Sequence, residues 1–238
     1  MKLLSADTTL EAQQFLIDRL KLMPLDKKYA VTAAAIGAGL NIHRSEPIEM
    51  NPFEIAHRLT EFFERHNVDY FLGGSMASTS YGEPRFTQDV DIIVRLPADI
   101  VDALVEEFQS DFYVSGPALH DAVKRKSSAN LIHLETNFKI DLIVSRERPF
   151  EKSRFERRVQ KNAAGNSFWF CTAEDIILVK LEWYRESGGV LERQLRDIQT
   201  VLMVQESLDF DYLRMWANEL GVSELLERSI VDAGIDER

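Results

Sequence analysis

The chain predicts an α/β (α+β) protein, a mixed sheet carrying helices with more helices at either end. Three observations lead there. Between about residues 70 and 144, short apolar runs of strand length alternate with amphipathic stretches of helical period. A glycine pair, Gly73-Gly74, stands where the first strand gives way to a helix. From Thr172 onward the apolar period is helical, broken at Gly188-Gly189. That order predicts an N-terminal helical extension over residues 1–50, an α/β core over 51–165 and a C-terminal helical region over 166–238.

Each element has a local reason. Residues 7–23 and 27–40 read as two short helices parted near Pro24, and His43 to Pro47 as a connector. Asn51-Pro52 opens a helix in which Ile55, Leu59, Phe62 and Phe63 recur at helical spacing. Tyr70 to Leu72 is a short strand, and a helix over 75–81 is stopped by Gly82-Glu83-Pro84. A strand over 90–96 precedes a helix that Pro97 opens and that runs to about Phe108. A short strand at 112–114, a helix over 117–124 and two strands at 130–135 and 138–144 follow, the last two joined by a Thr136-Asn137 turn. After a basic helical stretch, 167–170 is the last strand. Thr172 followed by Asp175 then forms a capping box for a helix to about Glu186. Helices over 190–205, 209–219 and 222–232 complete the chain.

The bulk numbers narrow the setting. The 238 residues carry a net charge of −11 and one cysteine, Cys171. One cysteine excludes an intrachain disulfide framework, so a reducing, cytoplasmic location is expected. No apolar run approaches the ~20 residues that span a bilayer, so no membrane partner is expected. The charge opposes broad binding to polyanions. Two basic clusters, Lys124-Arg125-Lys126 and Arg154/Arg157/Arg158/Lys161, read either as solvated helix faces or as local RNA contacts. The five histidines show no metal-ligand spacing.

Asp89 and Asp91 lie two apart in DVDIIV, so on a strand both carboxylates leave the same face. Held that close they repel, and a cation between them removes the penalty. Asp141, in FKIDLIV, is the one charge in the apolar stretch 140–144. Taken singly, these acids also read as strand ends facing water. Gly73-Gly74-Ser75 ends a strand and opens a helix, where glycines admit a phosphate close to backbone N–H groups and Ser75 can cap the helix or donate to the phosphate. The same glycines also suit a tight strand-to-helix turn with no ligand.

The whole stretch GGSMASTSYGEPRFTQDVDIIV resembles the DNA polymerase β-type nucleotidyltransferases, in particular the minimal bacterial branch with abortive-infection and toxin members. Gly73, Gly74, Gly82, Arg85, Thr87, Asp89 and Asp91 stand at that branch's motif positions, and Asp141 matches its third acid. FCTAEDIILVKLEWYR resembles the segment whose lysine faces the nucleotide phosphates, here Lys180, and Asp197 matches a later acid. Lys180 also reads as a lysine whose stem runs along a buried helix, and Asp197 as the partner of a neighbouring base. The resemblance covers about residues 68–205. It implies a mixed-sheet nucleotidyltransferase core that transfers a nucleotidyl group from an NTP to an acceptor hydroxyl, with two Mg²⁺ ions, or Mn²⁺, on Asp89, Asp91 and Asp141. Gly73, Gly74, Ser75, Arg85 and Lys180 are then expected to hold the nucleotide, with Thr87 and Asp197 accessory. A tRNA end, a protein side chain and a small molecule all remain open as acceptors. The first expectation, because the resembling branch contains such proteins, is a toxin-type enzyme acting on tRNA with a cognate antitoxin, and a non-catalytic nucleotide-binding or protein-interaction module that keeps the fold is the alternative.

Overall fold

Strand β2 (Asp89–Val94) is the middle strand of a seven-stranded mixed sheet. Its Ile92, Ile93 and Val94 are all buried, as a central strand covered on both faces requires. In this computed structural model, residues 52–84, 89–190 and 192–235 are described, together with Asp18, residues 21–25 and Lys28. The N-terminal extension expected over residues 1–50 lies almost wholly outside them.

The strand order is β3-β4-β5-β2-β1-β7-β6, with β1 Tyr70–Leu72, β3 Phe112–Tyr113, β4 Ser128–His133, β5 Lys139–Val144, β6 Val159–Ala163 and β7 Asn166–Phe170. Strands β2 and β5 run parallel, as do β1 and β7, and the other pairs are antiparallel. The described helices are α1 (Pro52–Arg65), α2 (Gly74–Tyr81), α3 (Val101–Phe108, after a 3-10 turn Ala98–Ile100), α4 (Gly116–Arg125), α5 (Pro149–Arg157), α6 (Ala173–Glu186), α7 (Glu192–Val204), α8 (Phe210–Glu219) and α9 (Ser223–Asp232). The expected α+β class therefore holds.

The chain divides into two compact units. Among the described residues, the sheet unit comprises 52–76 and 89–171, and the helical unit takes in 77–84, 172–190 and 192–235. In the sheet unit α1 buries Phe53, Ile55, Leu59, Phe62 and Phe63. Phe53 meets Phe168 of β7 at 5.3 Å between ring centroids, and Phe62 meets Phe108 of α3 at 5.7 Å in an edge-to-face pair.

Strand β6 departs from the expected basic helical stretch. Residues 149–157 are helical, but Val159–Ala163 turns back as an antiparallel hairpin with β7. Ala164 and Gly165 form the connection with φ of 49° and 77°, the left-handed geometry that two-residue hairpins need. Its residues, VQKNA, are mostly polar because β6 is an edge strand, so the alternation that marks a half-buried strand is missing.

In the second basic cluster, Arg154 and Arg158 are built into the sheet unit rather than lying on a solvated helix face. Arg154 is buried and lies over the Phe71 ring at 4.8 Å. Arg158 donates to Asp69 at 2.7 Å and stacks on Trp169 at 4.9 Å. Arg95 shares the Asp69 carboxylate and covers Phe155 at 4.1 Å. These arginines cover aromatic rings of the sheet unit, a use that a charge run in sequence does not announce.

In the helical unit α6 is buried along Ala173 to Glu182, as a helix packed on several sides must be. The Thr172 hydroxyl caps it by accepting from Asp175 N–H at 3.3 Å. Asp175 accepts from the Tyr212 hydroxyl at 2.7 Å, and Glu174 accepts from the Asp209 N–H at 3.1 Å, so both acids of the first turn also anchor α8.

Candidate active site

Parallel pairing of β2 with β5 puts Asp91 directly opposite Asp141 and Asp89 opposite Lys139. Paired residues share a face, so all four side chains leave the sheet on one side, while Val90, Ile92, Ile140 and Leu142 fill the buried side. Asn130 of β4 stands opposite Asp141 on its other flank and is exposed. Three strands thus present the row Asn130, Asp141, Asp91.

Lys139 is the residue that reading the acids alone missed. Its Nζ donates to Asp141 Oδ2 at 2.7 Å and lies 3.9 Å from Asp89 Oδ2. The hydrogen bond to Asp141 holds this ammonium above the ordinary lysine range. Partial burial opposes the shift, and the charges of Asp141, Asp89 and Asp91 add to it. The signal was present: Lys139 and Asp141 are two apart on a strand, the spacing that joined Asp89 to Asp91.

The glycine turn closes on the same acids. Gly73 N–H donates to the Asp91 carbonyl at 2.9 Å, extending the β1–β2 ladder by one bond. Gly74 has φ of +51°, and a Cβ built on it would stand 1.6 Å from Asp91 Oδ2. Both the backbone angle and the space demand glycine. Helix α2 therefore starts beside the Asp91 carboxylate, with Ser75 as its second residue. Gly82, at the far end of the motif, has a packing reason of its own. A Cβ there would lie 2.7 Å from Thr200 Oγ1 and 3.1 Å from Val201 N on α7. Arg85 and Thr87 lie outside the described residues.

Lys180 and Asp197, nominated separately, form an ion pair inside the helical unit. Lys180 Nζ donates to Asp197 Oδ2 at 2.7 Å and to Gln194 Oε1 at 2.9 Å, with the two charged side chains 2% and 9% exposed. Burial raises the nearby Glu83 carboxyl; Arg196, 3.8 Å from it, pulls it down and Asp197 adds to the rise.

Among the described residues no group of three His, Cys, Asp or Glu side chains is gathered into a metal cage. That does not weigh against a hard divalent cation of the Mg²⁺ type, which is commonly held by one or two carboxylates and completed by substrate phosphates. The donors here are all carboxylate oxygens on one face, already drawn around a positive charge by Lys139. They fit such an ion.

No protein-family model and no curated protein matches the chain. Solved structures give looser likenesses. An antigenic nucleotidyltransferase-like protein from Paracoccidioides brasiliensis aligns at 18% identity over 74% of this chain and 90% of its own, with a TM-score of 0.47. The lincosamide antibiotic adenylyltransferase LnuA, lincomycin-bound, aligns at 15% identity over 66% of this chain and 99% of its own, with a TM-score of 0.42. The antibiotic-resistance factor ANT(2'')-Ia aligns at 15% identity over 77% of this chain and 96% of its own, with a TM-score of 0.43.

Proposed function

We propose that this protein is a metal-dependent nucleotidyltransferase that moves a nucleotidyl group from an NTP to an acceptor hydroxyl. One observation carries the reading. Asp91 and Asp141 stand side by side on parallel strands, Asp89 shares their face, and a glycine turn that opens a helix is folded against Asp91.

The chemistry follows from charge and position. The acceptor oxygen bonds to the α-phosphorus, the bond from that phosphorus to the pyrophosphate oxygen breaks, and pyrophosphate leaves. Such transfers require alignment and charge neutralisation rather than a covalent intermediate on the protein. Asp89 and Asp91 would hold the metal ions, and Asp141 the ion on the acceptor side. When bound, those ions neutralise the triphosphate and stabilise the attacking and leaving oxygens. Gly74 and Ser75 orient the phosphates through the N–H groups at the start of α2. Asp141 accepts the hydrogen bond of the incoming hydroxyl and takes its proton as the new phosphorus–oxygen bond forms, while the Asn130 amide donates to the same oxygen and holds its direction.

The acceptor is a neutral or cationic molecule rather than a long RNA. The net charge of −11 supports this, as do Arg154 and Arg158, which are built into the sheet unit. In the other basic cluster, Arg125 pairs with Asp121 at 2.7 Å and Lys126 faces Glu147 at 3.8 Å. The deciding experiment offers each α-³²P-labelled NTP with Mg²⁺ to total RNA, total protein and a panel of polyhydroxylated small molecules. Label on a small molecule or protein, lost in Asp91→Asn, is the expected result. Label on RNA alone overturns the acceptor reading, and nucleotide binding with no label anywhere supports the non-catalytic module.

A further inference from the structure

Lys139 has no part in the transfer as written, yet its ammonium lies against Asp141 and Asp89. Surface ion pairs of this exposure commonly contribute little to stability, so stability alone does not explain its placement. The carboxylates it engages, those of Asp141 and Asp89, belong to two different strands and are among those assigned above to the metal. An ammonium and a divalent cation cannot both be closest to the same carboxylate oxygens.

We infer that Lys139 is the internal counter-ion of the carboxylate site, holding Asp89 and Asp141 together until a divalent cation displaces it. This rests on the nucleotidyltransferase reading. Without the lysine, three carboxylates repel one another across one face until the metal arrives. With it, the face carries one fewer net negative charge, which weakens attraction for a free cation and lessens repulsion of a triphosphate. Once displaced, the ammonium stays on a flexible four-carbon stem beside the site, where phosphate oxygens are its natural partners. The lysine thus biases the site toward a metal that arrives with its nucleotide and against a free ion.

The two effects have opposite signs, which a merely structural lysine does not produce. In Lys139→Met, free Mn²⁺ measured by electron paramagnetic resonance should bind roughly tenfold tighter. ATP measured without metal by calorimetry should bind several-fold more weakly. Lys139→Arg should stay near wild type in both. A second measurement needs no variant: Mg²⁺ titrated into the wild-type protein should shift the Lys139 side-chain NMR resonances. Unchanged Mn²⁺ affinity in a folded Lys139→Met, or Lys139 resonances that ignore Mg²⁺ while the metal binds, overturns the exchange alone. A folded protein that binds neither metal even with ATP present, in wild type and in Lys139→Met alike, overturns the carboxylate reading and the exchange with it.

Discussion

The Cα of Gly74 lies against the Asp91 carboxylate, so close that any Cβ would stand 1.6 Å from Oδ2. Gly74→Ala should therefore cost about 2–3 kcal/mol, combining the left-handed backbone penalty with displacement of Asp91. Gly73→Ala should be milder, since its Cβ would meet only the tip of the Ile93 side chain, at 2.5 Å. Urea unfolding of the two variants checks the order, and equal costs would mean that the turn relaxes away from Asp91.

Asp91→Asn should lower nucleotide turnover at least roughly 10²-fold, because it weakens a ligand of the metal that neutralises charge developing in the transition state. The metal-free protein should melt at the same temperature or slightly higher, since one of three crowded charges is gone. Turnover near wild type in a matched Mg²⁺ assay would remove Asp91 from the site.

Lys180→Met should destabilise by about 3–5 kcal/mol, because it leaves Asp197 charged and buried without its ammonium. Lys180→Met with Asp197→Leu should recover most of that loss. If Lys180→Met instead keeps full stability in urea while ATP affinity falls, the lysine serves phosphate before it serves Asp197.

Arg158→Glu should lower the melting temperature by several degrees, because a carboxylate would face Asp69 and leave the Trp169 ring uncovered. Adding Asp69→Arg should restore part of the loss. A variant as stable as wild type would return Arg158 to the solvated surface.

The Glu83 carboxyl is raised by burial, and this fixes a sign. Below the ordinary glutamate range it is protonated in both states and burial costs nothing. As pH rises, the unfolded chain ionises first, so the folded state loses relative stability until pH passes the raised folded value. Glu83→Gln cannot ionise. Its stability relative to wild type should grow with pH from about 4 and then level off. Melting curves from pH 4 to 8 test this, and a gap that shrinks with pH would reverse the assignment.

What the sequence by itself determined was local. Period-2 alternation put Asp89 with Asp91 on one face, and the same rule places Lys139 with Asp141. Thr172 announced the start of α6, and the helical periods of α7, α8 and α9 were legible from apolar spacing. Tertiary structure decided which strands are neighbours. The register that sets Asp91 against Asp141 joins segments 50 residues apart in sequence, and no local period encodes a pairing of that separation. The same holds for Lys180 with Asp197 and for Arg158 with Asp69. In each case the side-chain chemistry was visible in the chain, but the partner was supplied by packing. Strand β6 shows the converse: an edge strand buries too little to leave an apolar pattern, so only pairing with β7 reveals it.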